Sequence, residues 1–280
     1  MIRGRGTEGF TLVEMIMVIV ITGIIGGMIA MFIRAPVQGY VDSSRRAEMT
    51  DIADTALRRI SRDLRLALPN SVRVATSGAN TYLEFIPTTG GGRYRTGSPG
   101  DPLNFAAADP TFDVLGSAVK MQAGDEIVVY NLGITGSDAY TAGTSRRAYT
   151  GGAATTNNIA INPAGTPFQF ASPANRFQIV TKPVTYECAP LPNGAGRLTR
   201  YWGYNYAAVQ PTTIATLQAA NPGVPLATHV GLDVGVGGCS FFYTGLVVAN
   251  RNGLVNMQLT ITESGESVTL YNATHVSNEP

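Results

Sequence analysis

Residues 10–33 form a largely apolar run in which Glu14 is the only charged side chain. As a helix the run is long enough to cross a bilayer, which takes ~20 apolar residues. A carboxylate held in the hydrocarbon costs roughly 3 kcal/mol, so its place near the start of the run needs a reason. The polar segment before the run carries Arg3, Arg5 and Glu8 and ends at Gly9. Two plainer accounts explain less. A secretory signal has an apolar core of about 7–15 residues followed by a small-residue cut site. This run is longer, and its best small-residue candidate, near Ala30, fits poorly. A plain membrane anchor accounts for the length but not for Glu14 standing four residues beyond Phe10, just after a glycine.

The helical pattern continues past the run. One long helix is expected over residues 10–67, weakened by Gly23, Gly26 and Gly27 and kinked or broken near Pro36. Gly23 and Gly27 form a small-xxx-small pair that lets membrane helices approach closely; ordinary membrane-helix composition explains them equally well. Beyond Tyr40, Met49, Ile52, Ala53, Ala56, Ile60, Leu64 and Ala67 recur at helical spacing and predict a stripe packed on a sheet. The opposite face carries many charges, Asp63 among them, with Asp54–Arg58 and Arg59–Asp63 as expected pairs. Its basic cluster, Arg58 to Arg65, reads as a solvated face. The helix should stop before Pro69.

The remainder reads as β-rich. The 32 Gly and 16 Pro indicate many loops. Alternation places strands at 71–75, 82–86, 125–132, 158–161, 176–188, 197–206, 239–248, 254–262 and 267–271. A hairpin turn is expected at residues 263–266. Segments 87–118, 133–157 and 207–237 read as long linkers. The net charge of +1 shows no basic excess of the kind that marks a nucleic-acid binder. The two cysteines, Cys188 and Cys239, are too few for a four-ligand zinc site. In an oxidising compartment they read most simply as one disulfide, the alternative being two unlinked buried thiols. Arg3 and Arg5 before the span are matched by Arg34, Arg45 and Arg46 after it, so charge does not fix the membrane orientation.

The stretch Gly-Thr-Glu-Gly-Phe-Thr-Leu-Val-Glu at residues 6–14, with the apolar run behind it, resembles the class III leader and N-terminus of type IV pilins and type II secretion pseudopilins. Residues 59–73 resemble the end of the first helix in large minor pilins. Residues 198–204 and 263–277 resemble the minor-pilin branch of mannose-sensitive haemagglutinin pili, with PilW-type minor pilins and J-type pseudopilins close. Met15 stands where leucine is commoner in the motif.

The resemblance implies an α+β, pilin-like fold: a long N-terminal helix, membrane-spanning in its first half, packed on an antiparallel sheet with long loops. It divides the chain into a leader (1–9), a transmembrane half-helix (10–34), an amphipathic half-helix (35–68) and a β-rich globular domain (69–280). It implies cleavage by prepilin peptidase between Gly9 and Phe10, N-methylation of Phe10, and pairing of Glu14 with a neighbour's amine. The implied partners are that peptidase, other major and minor pilin subunits, and inner-membrane lipid before assembly. The implied location is the inner membrane, with the globular domain in the periplasm, and then the pilus or pseudopilus.

The inventory offers little for catalysis. There are two histidines, His229 and His275, and no Gly-x-Ser-x-Gly elbow, phosphate loop or Rossmann fingerprint. No cofactor is expected. Asp101, Asp109 and Asp113 would suit calcium only without EF-hand spacing, and a polar surface loop is the plainer reading. Alternation predicts Trp202, Tyr204 and Tyr206 on one strand face, suited to a sheet core or subunit contact more than to a sugar. A structural assembly subunit is the leading reading. A type II secretion pseudopilin or a membrane-anchored, adhesin-like module are the alternatives.

Overall fold

The computed structural model describes residues 9–162, 166–232, 238–244 and 252–280. The leader residues 1–8 and the end of the strand expected over 239–248 lie outside these. One helix, α1 (Leu12–Leu64), occupies the N-terminal part. Pro36 lies inside it and does not end it, so of the kink or break expected there the break does not occur. A proline forfeits one amide donor, and the turns on either side keep theirs. The chain divides into two compact units, the first ending at Glu48 and the second being Met49–Pro280.

In the first unit the large apolar side chains of residues 12–33 are exposed, Leu12 to 77% and Phe32 to 84%. None of the most apolar window is buried within the chain, and the helix is long and apolar enough to cross a membrane.

In the second unit the strands run β1 (Arg73–Ser77), β2 (Asn80–Phe85), β3 (Thr88–Arg93), β4 (Thr111–Asp113), β5 (Val119–Met121), β6 (Glu126–Val128), β7 (Arg146–Ala148) and β8 (Ala154–Thr156). They continue with β9 (Asn158–Ala160), β10 (Arg176–Val180), β11 (Val184–Ala189), β12 (Gly196–Trp202), β13 (Val224–Val230), β14 (Cys239–Thr244), β15 (Asn252–Glu263) and β16 (Glu266–Ser277). A short helix, α2 (Ile214–Leu217), precedes β13.

An eight-stranded antiparallel sheet has the order β1-β2-β11-β12-β13-β15-β14, with β16 on the other edge of β15. The last hairpin turns at Ser264 and Gly265, both at positive φ, a backbone twist that suits a two-residue hairpin loop. Met49, Ala53, Ala56, Leu57, Ile60 and Leu64 are buried in one core with Leu83, Phe85, Tyr186, Leu198 and Met257 of this sheet. Burying each large side chain contributes about 1.5–3 kcal/mol, which fixes the end of α1 on the sheet. Asp54 bonds Arg58 at 2.6 Å along the helix. Asp63 does not take Arg59. It accepts bonds from Arg200 at 3.0 Å and the Tyr186 hydroxyl at 2.6 Å, because the sheet offers fixed donors that a solvated arginine cannot match.

Segments 87–118 and 133–157 are not linkers. They build a second lobe, with the four-stranded sheet β3-β10-β6-β7 and the pairs β4-β9 and β5-β8. Its own core includes Phe112, Ile127, Ile159, Phe177 and Ile179. The Phe112 and Phe177 rings meet edge to face, 5.4 Å apart. Leu68, Ile86, Val128, Tyr140 and Val180 form a cluster joining this lobe to the main sheet. The strand expected over 176–188 is split into β10 and β11, one in each sheet. Pro183, between them, lacks the amide a continuous central strand would need. Segment 207–237, also expected as a linker, contains α2 and β13.

Candidate functional site

The residues singled out at the N-terminus lie in one short stretch. Gly9 and Phe10 precede α1 and are exposed. Thr11 sits at the N-cap and Glu14 in the first turn. The Glu14 amide donates to Thr11 Oγ1 at 3.3 Å, while the Thr11 amide and hydroxyl each donate to Glu14 Oε2 at 3.4 Å. This is a reciprocal capping box, and its signature, Thr-x-x-Glu before an apolar run, is legible in residues 11–14. Sequence reasoning passed over it by treating Glu14 only as an isolated charge. The box uses the amide of Thr11, so a cut before Phe10 leaves it intact. A carboxylate in the first turn also gains from the positive end of the helix dipole, where a new amine at Phe10 would be disfavoured unless paired. At Gly23 and Gly27 an added Cβ would meet nothing within 4 Å, so neither glycine is explained by packing among the described residues.

Cys188 and Cys239 are joined as a disulfide with Cα atoms 6.3 Å apart. The bridge ties β11 to β14 within the core that the helix packs on. Reducing it, or replacing both cysteines with serine, is expected to destabilise the second unit by roughly 4 kcal/mol on the loop-closure model, for a sequence separation of 51. Chemical denaturation with and without reductant measures this, and non-reducing peptide mapping checks the link.

The aromatic cluster departs from its expected alternation. Gly203, at φ +83°, ends β12 and turns the chain. Tyr204 therefore joins Tyr82, Tyr201 and Leu217 in a buried cluster instead of lying beside Trp202. Its hydroxyl donates to buried Glu84 at 2.8 Å, and Tyr201 donates to Glu187 at 2.9 Å. Burial first, then the Glu187 contact, pushes the Tyr201 phenol up to about 12. Tyr206 packs under the guanidinium of Arg146 at 3.6 Å. These rings are committed to internal polar contacts.

Asp101 and Asp113 come together, but their oxygens are engaged. Thr111 Oγ1 donates to Asp101 at 2.7 Å, and Asn158 donates to Asp113 at 2.9 Å. The Asn158 bond and the Asp101 amide together hold the Asp113 carboxyl below its usual range. Asp109 instead accepts the amide of Asn104 at 2.7 Å. Among the described residues no group of three or more His, Cys, Asp or Glu is arranged to hold a metal. His229 bonds its neighbour Thr228 at 3.1 Å, and His275 is exposed on β16. No protein-family profile, curated protein or solved structure matches the chain.

Proposed function

We propose that this chain is a minor pilin-like structural subunit, built into a type IV pilus or a pseudopilus. The observation that carries the reading is the N-terminal helix. Its first part leaves an entire apolar run uncovered, with one capped carboxylate at the start. Residues 49–64 of the same helix are the buried backing of an antiparallel sheet. Apolar surface of that extent is unstable in water, at about 25 cal/mol per Å², and must be covered by lipid or by other helices. A subunit that waits in a bilayer and then packs among like helices meets both needs. Gly23 and Gly27 then serve close helix approach. Within the family, the resemblance favours the MshO type of the mannose-sensitive haemagglutinin system over a type II secretion pseudopilin. On this reading the second unit lies in the periplasm before assembly. The buried carboxylates Glu84, Glu126 and Glu187 are already bonded to arginine, lysine or tyrosine partners, which suits a scaffold more than an enzyme.

The test is the mature N-terminus. Intact-mass measurement of the membrane form should show loss of residues 1–9 and gain of one methyl group on Phe10. Replacing Gly9 with a bulky residue should leave the precursor uncut. A mature chain that keeps Met1, or starts beyond Ala30, would overturn the reading.

A further inference from the structure

The second lobe contains a local conflict that its own fold does not resolve. Arg93 on β3 and Arg176 on β10 are direct cross-strand partners. Like charges in that relation destabilise a ladder. Both side chains are exposed, and neither has an ion pair or hydrogen bond among the described residues. Glu279 lines a second cavity together with Arg176 without forming an ion pair with it. Local violations of this kind collect at functional sites.

The two arginines line a groove of ≈ 530 Å³ together with Gly91, Gly92, Ser117 and Gln178. Gln178 Oε1 is buried there without a hydrogen-bond partner, an unmet acceptor that needs a donor. The groove follows a sheet edge, since β3 ends the order β3-β10-β6-β7. Tyr94 N–H donates inward to Asn175 O, while Arg93 O accepts from Leu115 N on the outer side. Antiparallel alternation then turns the Gly91 N–H and C=O outward as well, and no described strand pairs with them. The glycines themselves are fixed by internal packing. A Cβ at Gly91 would lie 2.7 Å from the Phe177 carbonyl oxygen, and one at Gly92 would lie 3.0 Å from the Phe177 ring. Their outward consequence is a short stretch of edge without side chains, which ends where Tyr94 bridges Val114 and is open to another backbone at Gly91.

We propose that this edge docks an extended acidic segment of another protein chain. The segment pairs its backbone with Gly91, places a carboxylate between Arg93 and Arg176, and offers an N–H to Gln178. A peptide fits better than a saccharide because, among the described residues, the only aromatic lining the groove, Phe177, is 1% exposed and gives no face for stacking. The assignment stands apart from the pilin reading, and neither test decides the other.

The experiment uses the full chain in non-ionic detergent at low salt, with labelled, end-capped hexaglutamate read by fluorescence anisotropy. R93Q/R176Q should weaken binding at least about tenfold. R62Q/R65Q, exposed in the last turn of α1 and the turn after it, should leave it within about twofold. Hexaglutamate N-methylated at every residue keeps its charge but has no residue N–H to donate from either edge, so it cannot pair as a strand and should also bind about tenfold more weakly. R176Q alone should fold normally and melt no lower than the parent, because it removes the repulsion. Equal binding of hexaglutamine, or equal loss in the helix variant, would overturn the site. Full affinity of the N-methylated peptide would overturn strand pairing. Inorganic phosphate or D-glucuronate binding as tightly as hexaglutamate would replace the peptide with a small oxyanion or a sugar.

Discussion

Changing Glu14 to glutamine is expected to leave the chain inserted, cut after Gly9 and folded, yet to reduce its capture by pilin-like partners on the order of a hundredfold. The expectation follows from separating two jobs of one side chain. Glutamine can still accept the Thr11 amide, so the capping box survives. What is lost is the charge. In a bilayer or a filament core, an unpaired amine at Phe10 and an unpaired carboxylate each carry a desolvation cost, and on the proposed pilin-like reading pairing between subunits removes both. Glu14→Ala loses the box as well and should cost the helix about 1 kcal/mol more at its start. Co-precipitation with partner pilins from membranes, beside a cleavage assay, reads both effects. If Glu14→Gln captures partners as well as the parent while Glu14→Ala does not, the carboxylate is a helix cap and the subunit is recruited elsewhere. If both variants assemble normally, the residue has no part in assembly.

Arg73→Met should destabilise the second unit by about 3–5 kcal/mol at neutral pH. Arg73 Nε meets Glu84 Oε2 at 2.6 Å, with the Glu84 side chain fully buried. The same guanidinium donates to the carbonyls of Ala207 and Ala208 at 2.8 Å and lies 3.5 Å from the centre of the Tyr140 ring. Removing it strands a buried carboxylate. The pH dependence follows from Glu84, whose carboxyl is pushed above its ordinary 4.5 by burial, against the opposing pull of Arg73. A raised acid binds its proton more tightly in the folded state. Its contribution is fully favourable below the unfolded value and is lost as pH rises through the folded one. Without Arg73 the folded value climbs further. The penalty of Arg73→Met should therefore be smallest near the unfolded value and grow toward neutrality. At acid pH the lost carbonyl bonds and ring contact should remain. Urea unfolding at several pH values measures this. Arg73→Met with Glu84→Gln should recover part of the loss, and a double variant as unstable as Arg73→Met would remove buried charge as the cause.

Local signals carried the legible part of the fold. The apolar run, the stripe from Met49 to Leu64 and the turn at Ser264-Gly265 each depend on residues a few positions apart. The helix and the last hairpin could be read from order alone for that reason. With two cysteines only one intrachain pairing exists, and the structure makes it. The second lobe was legible only in part: β6, β9 and β10 fall within the strands expected over 125–132, 158–161 and 176–188, while β3, β4, β5, β7 and β8 were not expected. Its strand β3 reads Thr-Thr-Gly-Gly-Gly-Arg, which has no alternation to detect, and its neighbour β10 is supplied from far along the chain.

The sequence by itself determined the membrane-length helix and the face of residues 49–64 that must be buried. These follow from composition and from periodicity within a few helical turns. Only the tertiary structure decided that Asp63 serves Arg200 and Tyr186, that Tyr204 turns inward at Gly203, and that Arg93 faces Arg176. The physical reason is the non-locality of the antiparallel ladder. A strand's sequence specifies which face is apolar but not which strand lies beside it, so cross-strand partners are fixed only when the sheets close around their cores.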